Sequence, residues 1–300
     1  MTIKQWKRCI TMFVVALILI LAVMVVFFAV KAGNLEKNQV VFPASSDAMS
    51  EAGEGNFDAE RLSKFFAEES FDYQSDYGDL YADNDFIFRQ RENKVCYLTF
   101  DDGPSTENTE KILDILKEYD VKATFFVINH KDDKANSLYK KIVKEGHAIG
   151  IHSYSHDYQR IYRSVDSFLS DFGLMSEKIE DLTGVKPDIF RFPGGSVNSY
   201  NTEIYVPLAA EMIRRGYTYY DWNVSSGDAG YTVLSKEQIK QNVLNGIYDS
   251  GESIILMHDS NEKTTTVEAL PEIIEELIER GYTFSKLDND VKPIVFNYLR

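Results

Sequence analysis

From Lys94 onward the chain repeats one unit, a short run of β-branched and aromatic residues followed by an amphipathic stretch. "KVCYLTF", "KATFFVIN", "AIGIHS", "DIFRFPGG", "YTYYDWNVSS", "SIILMHDS" and "YTFSKL" read as strands. Between them "TENTEKILDILKEYD", "ANSLYKKIVKEG", "SVDSFLSDFGLMSEKIEDLTG", "TEIYVPLAAEMIRRG", "SKEQIKQNVLNGIYDS" and "LPEIIEELIERG" read as helices. Gly146, Gly216 and Gly281 stand where helices stop, and Ser235 stands where one begins. Strict β–α alternation implies a parallel sheet, because each helix supplies the crossover that parallel strands require. Seven such strands predict an α/β fold, a distorted seven-stranded (β/α) barrel over residues 91–290, with a short C-terminal tail at 291–300. It is one strand short of the eight-stranded kind.

Ahead of this domain the composition changes twice. Cys9 to Val30, "CITMFVVALILILAVMVVFFAV", carries no charged residue. A spanning helix needs about 20 apolar residues, whereas a cleaved signal peptide has an apolar core of only about 7–15. No small-x-small cleavage site follows, so residues 9–30 predict an uncleaved transmembrane signal anchor. Lys4, Lys7 and Arg8 precede it and Lys31 follows. That bias predicts a cytoplasmic tail at 1–8, a single pass through the cell membrane and an extracellular barrel. Residues 31–90 read as an acidic stalk. Its early part, "PASSDAMSEAGEGN", is small and polar. Between Phe65 and Phe88 acids alternate with aromatics, which fits a short helix, a segment packed on the barrel or a disordered one. The net charge of −15 speaks against a nucleic-acid partner. The two cysteines, Cys9 and Cys96, read as unpaired small hydrophobes without zinc-type spacing.

The residues able to do chemistry gather at strand ends. Asp101 and Asp102 follow the first strand, His152 and His156 the third. Arg191 ends the fourth, Asp221 and Trp222 lie on the fifth, and His258 ends the sixth. In α/β barrels the C-terminal strand ends form the active face. If "HSYSH" turns helically, its two histidines share one face. Two imidazoles and one carboxylate make a three-ligand metal site with open positions. Neighbouring residues on a strand point to opposite faces, so one of the paired aspartates suits the ligand role and the other a base. Taken singly, each motif has an ordinary structural reading: a surface HxxxH, a DDG turn, a core tryptophan. The joint order at strand ends is what separates this chain from those readings. His130 stands near the same rim but reads as a surface residue, and His147 receives no role.

"TFDDG", "HSYSH", "RFPGG", "DWN" (221–223) and "LMH" (256–258) stand in the order of the five motifs of the polysaccharide deacetylase family. Over about residues 93–288 the chain resembles that family, the carbohydrate esterases with a NodB-homology domain. The resemblance implies Asp101 as catalytic base, with Arg191 holding it ionised and oriented. It implies Asp102, His152 and His156 as ligands of one divalent metal, zinc first, with cobalt, manganese and nickel also suited. His258 is implied as general acid, Asp221 as the group raising its pKa, and Trp222 and Leu256 as walls of an acetyl pocket beside Pro193 and Gly194. Many relatives carry tyrosine where this chain has Gly194, so a side-chain wall is absent there while the backbone N–H that would serve an oxyanion remains. The implied activity is metal-dependent N-deacetylation of an N-acetylated glycan, with N-acetylglucosamine of peptidoglycan the expected substrate. N-acetylmuramic acid, chitin-like or biofilm polymers and O-acetyl esters are alternatives, as is a non-catalytic glycan-binding role. A non-haem iron oxygenase shares the ligand set but not the βα frame. A glycosidase needs carboxyls set across a sugar, not adjacent in the chain.

Overall fold

The computed structural model describes residues 71–230, 232–247 and 251–296. The expected cytoplasmic tail and anchor lie outside these residues, as does the stalk up to residue 70. Among the described residues no helix is long and apolar enough to cross a membrane.

After a short helix α1 (Asp72–Ser75), the elements follow the expected rhythm. They are β1 (Val95–Asp101), α2 (Thr109–Glu118), β2 (Thr124–Ile128), α3 (Asp133–Lys144), β3 (Ala148–Ser153), α4 (Tyr158–Ile161) and α5 (Val165–Thr183). Then come β4 (Ile189–Phe190), α6 (Tyr205–Arg214), β5 (Thr218–Tyr219), β6 (Val224–Ser225), α7 (Lys236–Gly246), β7 (Glu252–His258), α8 (Thr264–Glu279) and β8 (Thr283–Ser285). All pairings are parallel, in the order β5-β4-β3-β2-β1-β7-β6, with β8 beside the first half of β1. Ser235 caps α7 as expected, in a reciprocal pair with Gln238.

One expected strand is two. "YTYYDWNVSS" contributes β5 to one edge of the sheet and β6 to the other. Five residue steps join Tyr219 to Val224, at most about 18 Å of chain. A flat sheet of seven strands would hold its edges about 29 Å apart. The sheet therefore curls until its edges nearly meet, which makes the (β/α) barrel. Residues 291–296, expected as a tail, sit in this seam. Asp221 N–H donates to Ile294 O at 2.8 Å, and Tyr220 Oη donates to Val291 O at 2.6 Å. The strand period sorts the core into two layers. On β7, Ile254 and Leu256 join Tyr97, Phe126 and Trp222 inside the barrel, while Ile255 and Met257 face the helices.

The stalk boundary also moves. Residues 71–91 pack on the barrel, and Arg215 is the reason. Its guanidinium is fully buried and donates to the carbonyls of Tyr73, Asp76, Tyr77 and Leu80 at 2.9–3.2 Å. Its own carbonyl accepts Ala82 N–H at 2.8 Å. The chain passes so close to Gly216 that a Cβ there would lie 2.1 Å from Ala82 O, so only glycine fits. Of the three readings left open for the acid–aromatic segment, a short helix (α1) and packing on the barrel both hold for its described part.

Candidate active site

β1 delivers the two aspartates. Tyr97, Thr99 and Asp101 point into the barrel, and Asp101 is buried. At Asp102 the chain leaves the strand with φ +74°, a left-handed turn that swings its carboxylate back toward the same centre. The two acids therefore converge instead of facing opposite sides. Asp101 Oδ2 lies 3.9 Å and Asp102 Oδ1 3.6 Å from His152 Nε2. The turn is held from below. Asp259, fully buried, accepts from Thr109 Oγ1 at 2.5 Å, and Thr109 Oγ1 in turn accepts Ser105 N–H at 2.7 Å. A Cβ on Gly103 would strike the Asp259 carboxylate at 2.0 Å. Burial pushes the Asp259 carboxyl up to about 7. His130, expected at the surface, is half-buried, with Nε2 3.1 Å from the Asp102 carbonyl.

β3 delivers His152 directly, and its ring is buried. Nδ1–H donates to Arg191 O at 2.9 Å, which leaves the Nε2 lone pair aimed at Asp102. Burial lowers the His152 pKa to about 3, so the ring is neutral and able to ligate. His156 does not follow on a helix. It sits in a turn with φ +52°, its N–H donating to Ser153 Oγ at 2.9 Å. Asp171 of α5 shapes that turn by accepting from Ser153 Oγ, Tyr154 N–H and Ser155 N–H at 2.5–2.8 Å. The turn brings His156 Nε2 to 3.1 Å from Asp102 Oδ1. One ligand atom each from Asp102, His152 and His156 lies within 4.8 Å of the others. Asp102 Oδ1 is buried without a hydrogen-bond partner. An orphaned carboxylate oxygen between two imidazole nitrogens fits a divalent cation, which would satisfy it.

Arg191 crosses the barrel interior, fully buried. It donates to Asp101 Oδ1 at 2.9 Å, Thr99 Oγ1 at 2.7 Å and the carbonyls of Tyr220 and Asp221 at 2.9 and 3.2 Å. Its guanidinium carbon stands 4.4 Å from the Phe126 ring centroid and 5.7 Å from that of Trp222. Burial raises the Asp101 pKa above its ordinary value, against the pull of Arg191, which favours an ionised but basic carboxylate.

The partner of His258 is Asp228, not Asp221. His258 Nδ1 lies 2.7 Å from Asp228 Oδ1, and His258 N–H donates to Oδ2 at 2.9 Å. Burial works against a charged ring, but the Asp228 carboxylate outweighs it and raises the His258 pKa to about 9. Asp221 is occupied elsewhere. Its carboxylate accepts Ser196 N–H, Ser196 Oγ–H and Phe296 N–H at 2.5–2.8 Å, tying the "RFPGGS" turn to the C-terminal segment. Reading Asp221 as the group that tunes His258 is thus overturned. Trp222 and Leu256 are buried in the barrel interior, with Leu256 two residues before His258 on one face of β7. Pro193 is buried with its carbonyl accepting Tyr162 Oη–H at 2.7 Å. Gly194 has φ +76°, and a Cβ there would lie 2.8 Å from Tyr158 Cε1. Gly195 N–H is engaged with Phe192 O at 2.9 Å, whereas Gly194 N–H makes no hydrogen bond among the described residues.

A basic carboxylate, a three-ligand cation site and a protonated imidazole around one mouth can activate water, polarise a carbonyl and protonate a leaving group. Comparisons with known proteins agree. A model of the polysaccharide deacetylase family matches residues 88–213. The Bacillus subtilis protein YheN is 35% identical over 235 residues, 75% of this chain and 78% of its own. A peptidoglycan-N-acetylglucosamine deacetylase of Bacillus cereus is 36% identical over 204 residues, 66% of this chain and 70% of its own. The crystal structure of the catalytic domain of a peptidoglycan N-acetylglucosamine deacetylase from Eubacterium rectale superposes with a TM-score of 0.67 at 39% identity, covering 71% of this chain and 97% of that domain. The convergent carboxylates, the histidine pair and these relatives together identify the chain as a deacetylase hydrolase belonging to the polysaccharide deacetylase family.

Proposed function

We propose that the chain removes N-acetyl groups from N-acetylglucosamine units of peptidoglycan, releasing acetate and leaving a free amine. The observation that carries this reading is the division of labour between Asp101 and Asp102: one bound to Arg191 inside the barrel, the other orphaned between two histidines. Relatives whose names specify that substrate support the choice of sugar. Asp102, His152 and His156 would hold one divalent ion, with zinc preferred and cobalt, manganese or nickel also compatible with the donor set. When bound, the ion supplies Lewis-acid polarisation of the acetamide carbonyl and a more acidic water.

The chain's own residues supply the proton traffic. Arg191 fixes Oδ1 of Asp101, so Oδ2 faces the centre and accepts the proton of the attacking water. The water oxygen bonds to the acetyl carbon, and Gly194 N–H donates to the oxyanion that develops. The C–N bond then breaks. An amine leaves poorly unless protonated, and the His258 ring, kept charged by Asp228, supplies that proton from Nε2. Leu256 and Trp222, buried in the barrel interior, would wall the acetyl methyl together with Pro193 and Gly194. Residues 9–30, read as a membrane anchor, would set this domain on the outer face of the cell membrane beside the wall polymer. Acetate release from purified peptidoglycan, with added metal and with chelator, tests the reading. Metal-dependent release is expected; release only from chitin-like oligomers or O-acetylated polymers would reassign the substrate.

A further inference from the structure

Asp102 aims its carboxylate from a left-handed turn, φ +74°, which a residue other than glycine keeps only when its surroundings fix it. Both of its peptide groups are fixed, and both from β2 and the loop that follows it. Asp102 N–H donates to Phe126 O at 3.2 Å. Asp102 O faces His130 Nε2 at 3.1 Å; a carbonyl only accepts, so that nitrogen carries the proton and donates. Gly103 continues the seam, its carbonyl accepting Ile128 N–H at 2.9 Å. The loop that carries His130 is itself held twice. Tyr139 Oη, which donates to Ile128 O, accepts His130 N–H at 3.3 Å. Lys178 Nζ of α5 donates to His130 O and, at 2.7 Å, to Asn129 Oδ1. Lys178 stands about two turns after Asp171, on the same face of α5.

We infer that His130 is a positioning residue for the metal ligand Asp102: its Nε2–H holds the Asp102 carbonyl, and with it the turn that aims the carboxylate at His152 and His156, while Lys178 holds His130. The inference rests on the metal-binding reading of that cluster. His130 is not itself a ligand. Its Nε2 is spent on a carbonyl, and among the described residues the donor atoms that meet at the cluster come from Asp102, His152 and His156. Nor does the ring merely tie down its own loop, since the carbonyl it reaches is the ligand's, 28 residues away. With the donor gone, the Asp102 peptide is held on one side only, and the carboxylate loses its fixed aim. The consequence is a shared scaffold. Asp171 shapes the turn of His156 and Lys178 secures the loop behind Asp102, so two of the three ligands are set from one face of α5. The third, His152, lies within β3, where the sheet itself fixes the backbone.

The test uses the full chain with Co2+, whose visible absorption reports ligand geometry, and reads affinity by competition with a chelating dye. His130→Phe keeps a planar ring and removes the donor; His130→Gln restores an N–H at similar reach. His130→Phe is expected to weaken Co2+ binding about tenfold and to shift the absorption bands, and His130→Gln to stay within about twofold with the bands in place. Lys178→Met, one step further out, should weaken binding about threefold. A role confined to stability would lower the unfolding temperature of the metal-free chain without moving the bands. Affinity within about twofold for His130→Phe with unshifted bands, or equal weakening by phenylalanine and glutamine, overturns the assignment. Should His130→Phe fail to fold, Lys178→Met decides: unchanged affinity overturns the assignment, and a loss of about threefold with shifted bands upholds it. Affinities that respond as expected in a chain releasing no acetate from peptidoglycan leave the positioning role standing while the deacetylase reading falls.

Discussion

Two arginines of this barrel are completely buried, and each meets a carboxylate. Arg215 meets Glu211, whose two oxygens are all used: Oε1 accepts from Arg215 Nε at 2.6 Å and Arg214 at 2.7 Å, and Oε2 from Arg214 at 2.8 Å. Arg191 meets Asp101 through Oδ1 alone, and Oδ2 is left 3.9 Å from the nearest imidazole nitrogen. Both pairs bear the cost of desolvating charge. The saturated pair spends its donors on the carbonyls of residues 73–80 and fastens the N-terminal segment. The unsaturated pair leaves one lone pair at the mouth of a three-ligand cluster. A buried ion pair whose partners are all engaged is architecture; one with an acceptor kept open is chemistry.

The sharpest way to break this comparison is to remove each arginine. Arg215→Met should lower unfolding free energy by about 3–5 kcal/mol, because Glu211 loses a buried partner. Turnover per folded molecule should not change. Arg191→Met should destabilise to a similar degree and also cut kcat by about a hundredfold or more. Denaturant unfolding and acetate release read the two effects separately, and an equal fall of kcat in both variants would erase the distinction.

A smaller effect is expected at Asp171, which holds the turn of His156 without touching the ligand atoms. Asp171→Asn should weaken metal affinity about tenfold, read by competition with a chelating dye. Unchanged affinity would mean that the turn holds its shape without the carboxylate.

The mildest prediction concerns pH. The folded His258 pKa of about 9 lies above the ordinary value, so the His258–Asp228 pair contributes its full stability below about pH 6.5 and loses it as pH rises through about 9. The basic limb of kcat/KM should fall in the same range. Asp228→Asn removes the group that holds the proton, so that limb should move to lower pH. Asp221→Asn should leave it in place, and a shift with Asp221→Asn alone would return the tuning role to that residue.

Residues announced by a strand end were readable in advance. Asp101, Asp102, His152, Arg191 and His258 all lie on or beside the strands that the alternation marks, and the fold converges those ends. Roles that depend on folding partners were not readable. Asp221 lies beside Trp222 in a recognisable motif, yet its ligands are Ser196 and Phe296, 25 and 75 residues away. Asp228 sits in "SSGDAG", which reads as a turn, although it follows a strand whose neighbour in the sheet ends at His258. That adjacency was hidden because β5 and β6 read as one strand. Asp171 is one acid among several on a helix, and nothing local says that it faces a loop. The segment from residue 71 carries no periodicity because its attachment runs through backbone carbonyls, which every residue has.

The central claim is that Asp101 is the base and Asp102 a ligand. Asp101→Asn in the full chain tests it directly, with metal content and acetate release from peptidoglycan measured on the same sample. The account predicts one metal per chain, as in the unsubstituted protein, and release lower by at least about a thousandfold. Release within about tenfold of the unsubstituted protein, or loss of the metal with the substitution, would contradict it.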